Sequence, residues 1–262
     1  MSDSTLASSI LRSKQQHGIA FMPFVAAGYP DLETSLKLIP AFERAGAAAV
    51  EVGFPFSDPV ADGPTIQEAF TIALSKKLRV DDILNGIGRL KGQISVPLVA
   101  MVSYSIVFRY GLAAFVKKAK EVGFSGLILP DLPPPEGDDI CKQIQAGGLD
   151  TVLLVSPSTP ASRLEKIISL CSGFVYCLSV SGTTGARDTL PPDIERNVNA
   201  IKAKTKLPVC VGFGVSKPEH LAQLAKVADG AIVASAIVKR MKEATGDPVA
   251  AAEEYCRELL KR

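Results

Sequence analysis

Eight short apolar runs recur along the chain, separated by amphipathic stretches, and this alternation constrains the fold more than any other feature. The runs are FMPFV (21–25), AAVEVG (48–53), PLVAMV (97–102), GLILP (126–130), TVLLV (151–155), FVYCLSV (174–180), PVCVGF (208–213) and GAIVAS (230–235). Each is almost continuously apolar, the pattern of a parallel strand covered on both faces. Between them, DLETSLKLIPAFERAG (31–46) opens on Asp31 as an N-cap, repeats Leu36, Ile39 and Phe42 at helical spacing, and stops at Gly46. Pro40 inside it lacks a backbone donor and predicts a kink or a locally broken turn. The stretches 111–123, 136–148, 162–173 and 217–230 follow the same plan, each ending in glycine.

Eight strand–helix units with right-handed crossovers close naturally into a (β/α)₈ TIM barrel. An open doubly wound sheet is the alternative, and the regular count favours the barrel. A chain of 262 residues fits a single barrel domain over 1–262, since such barrels run to about 250 residues. Leu6 to Lys14 reads as an extra N-terminal helix, a plug under the barrel, and 80–93 as an extra helix after strand 2.

The formal net charge of +2 gives no field that would draw nucleic acid or a membrane surface. No apolar run approaches the roughly 20 residues of a membrane span, and the N-terminus has no signal-like apolar core, so a cytoplasmic location is expected. The five cysteines are scattered and odd in number, as for reduced thiols. Only His17 and His220 are present, too few for an expected zinc site, and no G-x-S-x-G nucleophile motif occurs.

Chemistry in a barrel gathers at the C-terminal ends of the strands. There the stretch VEVGFPFSDPVADGPTIQEA (50–69) places Glu51 between two valines. An isolated carboxylate in an apolar strand is costly, and burial raises its pKa. None of the eight runs contains a lysine or arginine to pair with it. That favours proton transfer, and it leaves no strand-end lysine for Schiff-base chemistry. Asp58 and Asp62 follow in a loop rich in proline and glycine. Either is a further acid or simply a turn or cap residue, Asp62 standing just before a helix. Asp131 ends strand 4, and 179–192, rich in Gly, Ser and Thr, reads as a lid. After strands 7 and 8, Gly212, Phe213 and Gly214 together with Ala234 and Ser235 read as a phosphate cradle, or otherwise as ordinary turns.

These motifs, with PFVAAGYPDLETS, FRYG, LILPDLPPPE, SGTTGAR, VGFGVSKPEH and SAIVK, occur in an order that resembles the tryptophan synthase alpha subunit family across nearly the whole chain. The resemblance implies retro-aldol cleavage of indole-3-glycerol phosphate to indole and glyceraldehyde 3-phosphate. It makes Glu51 the catalytic acid–base and Asp62 the partner of the indole N–H. Thr184 would position Asp62 when the lid closes, with Gly185 beside it at the substrate. Phe24 and Tyr176 would border the indole, and Gly212, Phe213, Gly214, Ala234 and Ser235 the phosphate. It implies no cofactor in this chain and an α₂β₂ heterotetramer. Indole would pass through a tunnel to a pyridoxal-phosphate-dependent beta subunit, with the loop 55–64 towards that partner. The chain departs from the family pattern at Ala234, where glycine is frequent, at Ser103 and Ser105 after strand 3, and at Val180, where some members carry arginine. Another phosphate-binding barrel enzyme, a non-catalytic partner-activating subunit and a purely structural barrel are the competing readings. The last does not explain a charge in strand 2.

Overall fold

The computed structural model describes residues 4–58, 62–132, 137–179, 191–212 and 214–261. In chain order the elements are α1 (Thr5–His17), β1 (Ala20–Ala26), α2 (Leu32–Arg44), β2 (Val50–Gly53), α3 (Pro64–Ser75), α4 (Val80–Gly88), β3 (Leu98–Met101), α5 (Tyr104–Tyr110), α6 (Leu112–Val122) and β4 (Phe124–Ile128). They continue with α7 (Gly137–Ala146), β5 (Asp150–Val152), β6 (Leu154–Val155), α8 (Ala161–Leu170), β7 (Val175–Leu178), α9 (Ile194–Lys202), β8 (Val209–Gly212), α10 (Pro218–Leu224), β9 (Gly230–Val233), α11 (Ser235–Glu243) and α12 (Pro248–Leu260).

All strand pairs are parallel, and the sheet runs β5-β4-β3-β2-β1-β9-β8-β7-β6. Its two ends, β5 and β6, are successive pieces of one apolar run interrupted at Leu153. The sheet therefore returns to its starting segment and closes as a TIM barrel, which excludes the open sheet. The fifth run, expected as one strand, is divided where the ring closes.

The core has two layers. One lies between strands and helices. The other fills the barrel interior with Met22, Val99, Ile128, Val152, Phe174 and Ile232, the filling such barrels need to be solid rather than hollow. Leu6 and Ile10 of α1, both fully buried, belong to this inner layer. The N-terminal helix is thus a plug in the barrel floor. Ser4 caps it and donates to Asp150, while Lys14 pairs with Asp229 at its other end.

Of the kink or locally broken turn expected at Pro40, the broken turn is absent, because α2 runs through it. A proline inside a helix costs about 3 kcal/mol. Burial of Leu36, Leu38, Ile39 and Phe42 on one face returns roughly 1.5–3 kcal/mol each. Helix α5 was not expected. Ser103 caps it, and Asp131 accepts hydrogen bonds from Ser103 Oγ at 2.6 Å and from the Tyr104 N–H at 2.7 Å. Asp131, a polar strand end in the sequence, is therefore committed to building this turn.

Candidate active site

Strand register decides where Glu51 points. It pairs with Phe24 on β1 and Val99 on β3. Side chains in register on parallel neighbours share a face, and Val99 belongs to the inner layer. Glu51 therefore faces the barrel interior and is 1 % exposed. Its Oε2 has no hydrogen-bond partner among the described residues, and no ion pair to it is found there. The alternative of a salt-bridged structural glutamate is thus not realised in the described structure.

A cleft of about 410 Å³ opens above Glu51 at the C-terminal ends of the strands. Asp62, partly buried just before α3, borders the same cleft, as do Phe24, Tyr176, Gly214, Ala234 and Ser235. The sequence reading had gathered all of these. It had not gathered Ile66, Met101, Val215 and Ile232, which complete the wall. Asp62 does not cap α3: the N-cap is Gly63, and no side chain caps it. Asp58 is exposed and lies only in a neighbouring cleft, which shares Asp62 and Met101 with the first and adds Phe54, Phe56 and Phe70. Thr184, Gly185 and Phe213 lie outside the described residues.

Two glycines make room for the aromatic walls. A Cβ at Gly53 would stand 2.3 Å from Phe24 Cζ, and one at Gly212 would stand 2.2 Å from Tyr176 Oη. The missing Cβ of Gly212 thus admits Tyr176. Gly214 has φ +87°, a left-handed conformation natural to glycine.

Electrostatics separate the two carboxyl groups. Burial, reinforced by the nearby Asp62 charge, pushes Glu51 up to about 8. Burial alone pushes Asp62 up to about 6. Near neutrality Asp62 is ionised and Glu51 is protonated, a base and an acid on one cleft. Tyr176 is held well above its ordinary value, first by burial and then by the Glu51 and Asp62 carboxyl groups, and stays neutral. Among the described residues no group of three or more His, Cys, Asp or Glu is arranged to hold a metal ion, and no helix is long and apolar enough to cross a membrane.

The profile of a protein family described as tryptophan synthase alpha chain matches residues 10–261. The chain is 39% identical over 259 residues to a tryptophan synthase alpha chain of Chloroflexus aurantiacus, covering 98% of this chain and 97% of the relative. Its counterpart from Rhodopirellula baltica is 43% identical over 258 residues, covering 93% of each. Among solved structures, a chain of Mycobacterium tuberculosis tryptophan synthase superposes with a TM-score of 0.89 at 34% identity, over 98% of this chain and 97% of that one.

Proposed function

The chain belongs to the tryptophan synthase alpha chain family and is a lyase, and on that premise we propose that Glu51 and Asp62 carry out the retro-aldol cleavage of indole-3-glycerol phosphate. The observation that carries this reading is a carboxyl group buried in the barrel, its Oε2 without a hydrogen-bond partner among the described residues, on one cleft with a second carboxyl group.

The reaction must expel indole as a neutral molecule. Glu51 as the acid delivers its proton to indole C3. The ring becomes cationic, its N–H held and its charge balanced by the Asp62 carboxylate. The Glu51 carboxylate then removes the proton from the glycerol hydroxyl on the carbon bonded to C3. The oxygen electrons form the aldehyde, the C–C bond breaks, and its electrons restore neutral indole. Glu51 ends as it began, protonated, so one group serves both transfers. A pKa near neutrality suits a residue that must both give and take a proton, and such help is worth roughly 10²–10⁴-fold.

Phe24 and Tyr176 border the indole. The phosphate lies at Gly212, Phe213, Gly214, Ala234 and Ser235, where α11 begins, and supplies binding energy away from the reacting bond. Thr184 and Gly185 act from the segment that follows β7. Indole leaves through the adjoining cleft lined by Phe54, Phe56 and Phe70 towards a beta subunit in an α₂β₂ complex. The partner covers the C-terminal face near α5, where Phe108 is 70% exposed, and it alone carries pyridoxal phosphate. The chain works in the cytoplasm.

Indole release from indole-3-glycerol phosphate, measured with and without an added beta subunit, tests the reading. Turnover that rises with the partner is expected. No turnover in either case, from folded protein, would move the non-catalytic subunit to the front.

A further inference from the structure

Ser216 lies two residues beyond Gly214 on the segment joining β8 to α10, and side chains hold both of its main-chain groups. Its N–H donates to His220 Nδ1 at 3.2 Å, and its carbonyl accepts from Tyr255 Oη at 2.7 Å. His220 is 2 % exposed and comes from α10. Tyr255 comes from α12, the last helix, which also packs on α11 and α2. The Tyr255 ring lies under the Arg240 guanidinium, 5.1 Å from its centroid, and Arg240 belongs to α11, the helix that begins at Ser235. One side chain outside the cleft thus touches the main chain two residues beyond Gly214 and a side chain of the helix that begins at Ser235. Burial pushes Tyr255 up to about 12, so its hydroxyl stays a donor across the working pH range.

The segment needs such anchoring. Gly214, in its left-handed conformation, has no side chain to hold it. Backbone N–H groups grip an anion well only when their geometry is set before binding, because ordering a loose segment is subtracted from affinity.

We propose that Tyr255 and His220 are positioning residues that hold the main chain from Gly214 to Ser216 in its anion-binding geometry, so that affinity for the phosphate group depends on them. This rests on reading the Gly214–Ser235 end of the cleft as the phosphate subsite.

Tyr255→Phe removes one oxygen and keeps the ring under Arg240. Wild type and variant are titrated calorimetrically with inorganic phosphate, and kcat and KM are measured for indole-3-glycerol phosphate and for indoleglycerol without the phosphate. Loss of one hydrogen bond should raise the phosphate Kd and the KM of the phosphorylated substrate together by about 3–10-fold. The kcat should stay within about twofold, and kcat/KM for the unphosphorylated substrate should not change. His220→Leu should act in the same direction, and His220→Asn, which keeps an acceptor near the place of Nδ1, should recover part of the loss. If the wild type binds phosphate and Tyr255→Phe, folded, binds it equally well, the proposal is overturned. An equal loss for both substrates would mean general loosening and also overturns it. A wild type that turns over but does not bind phosphate removes the subsite reading and the proposal with it.

Discussion

The ring of Phe24 lies over Gly53, where a Cβ would stand 2.3 Å from Phe24 Cζ and 3.2 Å from Phe70 Cζ. Phe24 is also the register partner of Glu51, so the apolar wall beside the acid depends on the absence of a side chain at position 53. Gly53→Ala should push Phe24 into the cleft. Overpacking of this kind costs about 1–3 kcal/mol, and kcat/KM should fall by about 10²-fold through misplacement of substrate. Combining it with Phe24→Leu should restore much of the stability, measured as a thermal midpoint. Additive losses would show that the two residues do not compete for the same space.

Glu51→Gln keeps the shape of the side chain and removes the transferable proton. Indole production should drop by at least about 10³-fold, since in the proposed mechanism the same carboxyl group serves both transfers. Circular dichroism and beta-subunit binding should be nearly unchanged. Activity within tenfold of wild type would remove Glu51 from the mechanism.

Asp62→Asn should lower kcat by several orders of magnitude, because an amide cannot balance the charge on the protonated ring. A change confined to KM would make Asp62 a binding residue only. The same variant has a second readout. Asp62 contributes to the raised pKa of Glu51, so its neutralisation should move the alkaline limb of residual activity to lower pH.

How much of this was legible in the sequence varied with the kind of evidence. Glu51 stood out because a charge inside an apolar run has no bland explanation when no run offers a cation. Asp58 and Asp62 could not be separated, since both sit in one loop rich in proline and glycine. Packing of α3 on β1 and α11 sets Asp62 at the cleft and leaves Asp58 exposed. Helix α5 is too short to show a period, and its cap relies on Asp131, 28 residues away. The break at Leu153 arises from ring closure, a property of the whole sheet. Ile66, Met101, Val215 and Ile232 are ordinary apolar residues whose place on the cleft follows from register and helix orientation.

The pH–rate profile follows from the two carboxyl groups. The proposed mechanism requires Asp62 ionised, above about 6, and Glu51 protonated, below about 8. Activity should therefore form a bell with its plateau between these values, which belong to the coupled pair. The substrate phosphate also titrates at about 6. The acid limb is accordingly read from kcat at saturating substrate, and the alkaline limb from kcat/KM. Activity rising without limit above pH 9 would mean that Glu51 acts as a base from the start.

Glu51 also leaves a mark on stability. Its folded pKa of about 8 lies above the ordinary value of 4.5. Below pH 4.5 both folded and unfolded states are protonated, and titration of the group adds no penalty. Between 4.5 and about 8 the unfolded chain releases the proton while the folded one keeps it, so stability falls with rising pH. Above about 8 the penalty is constant. At about 1.4 kcal/mol per unit, the loss is of order a few kcal/mol. Glu51→Gln carries a buried amide whose cost does not depend on pH, so the informative quantity is the pH dependence of the difference between the two proteins. The urea midpoint of wild type should fall relative to Glu51→Gln between pH 5 and 8, then run parallel to it. Parallel curves across the whole range would mean that Glu51 is not held protonated in the folded barrel.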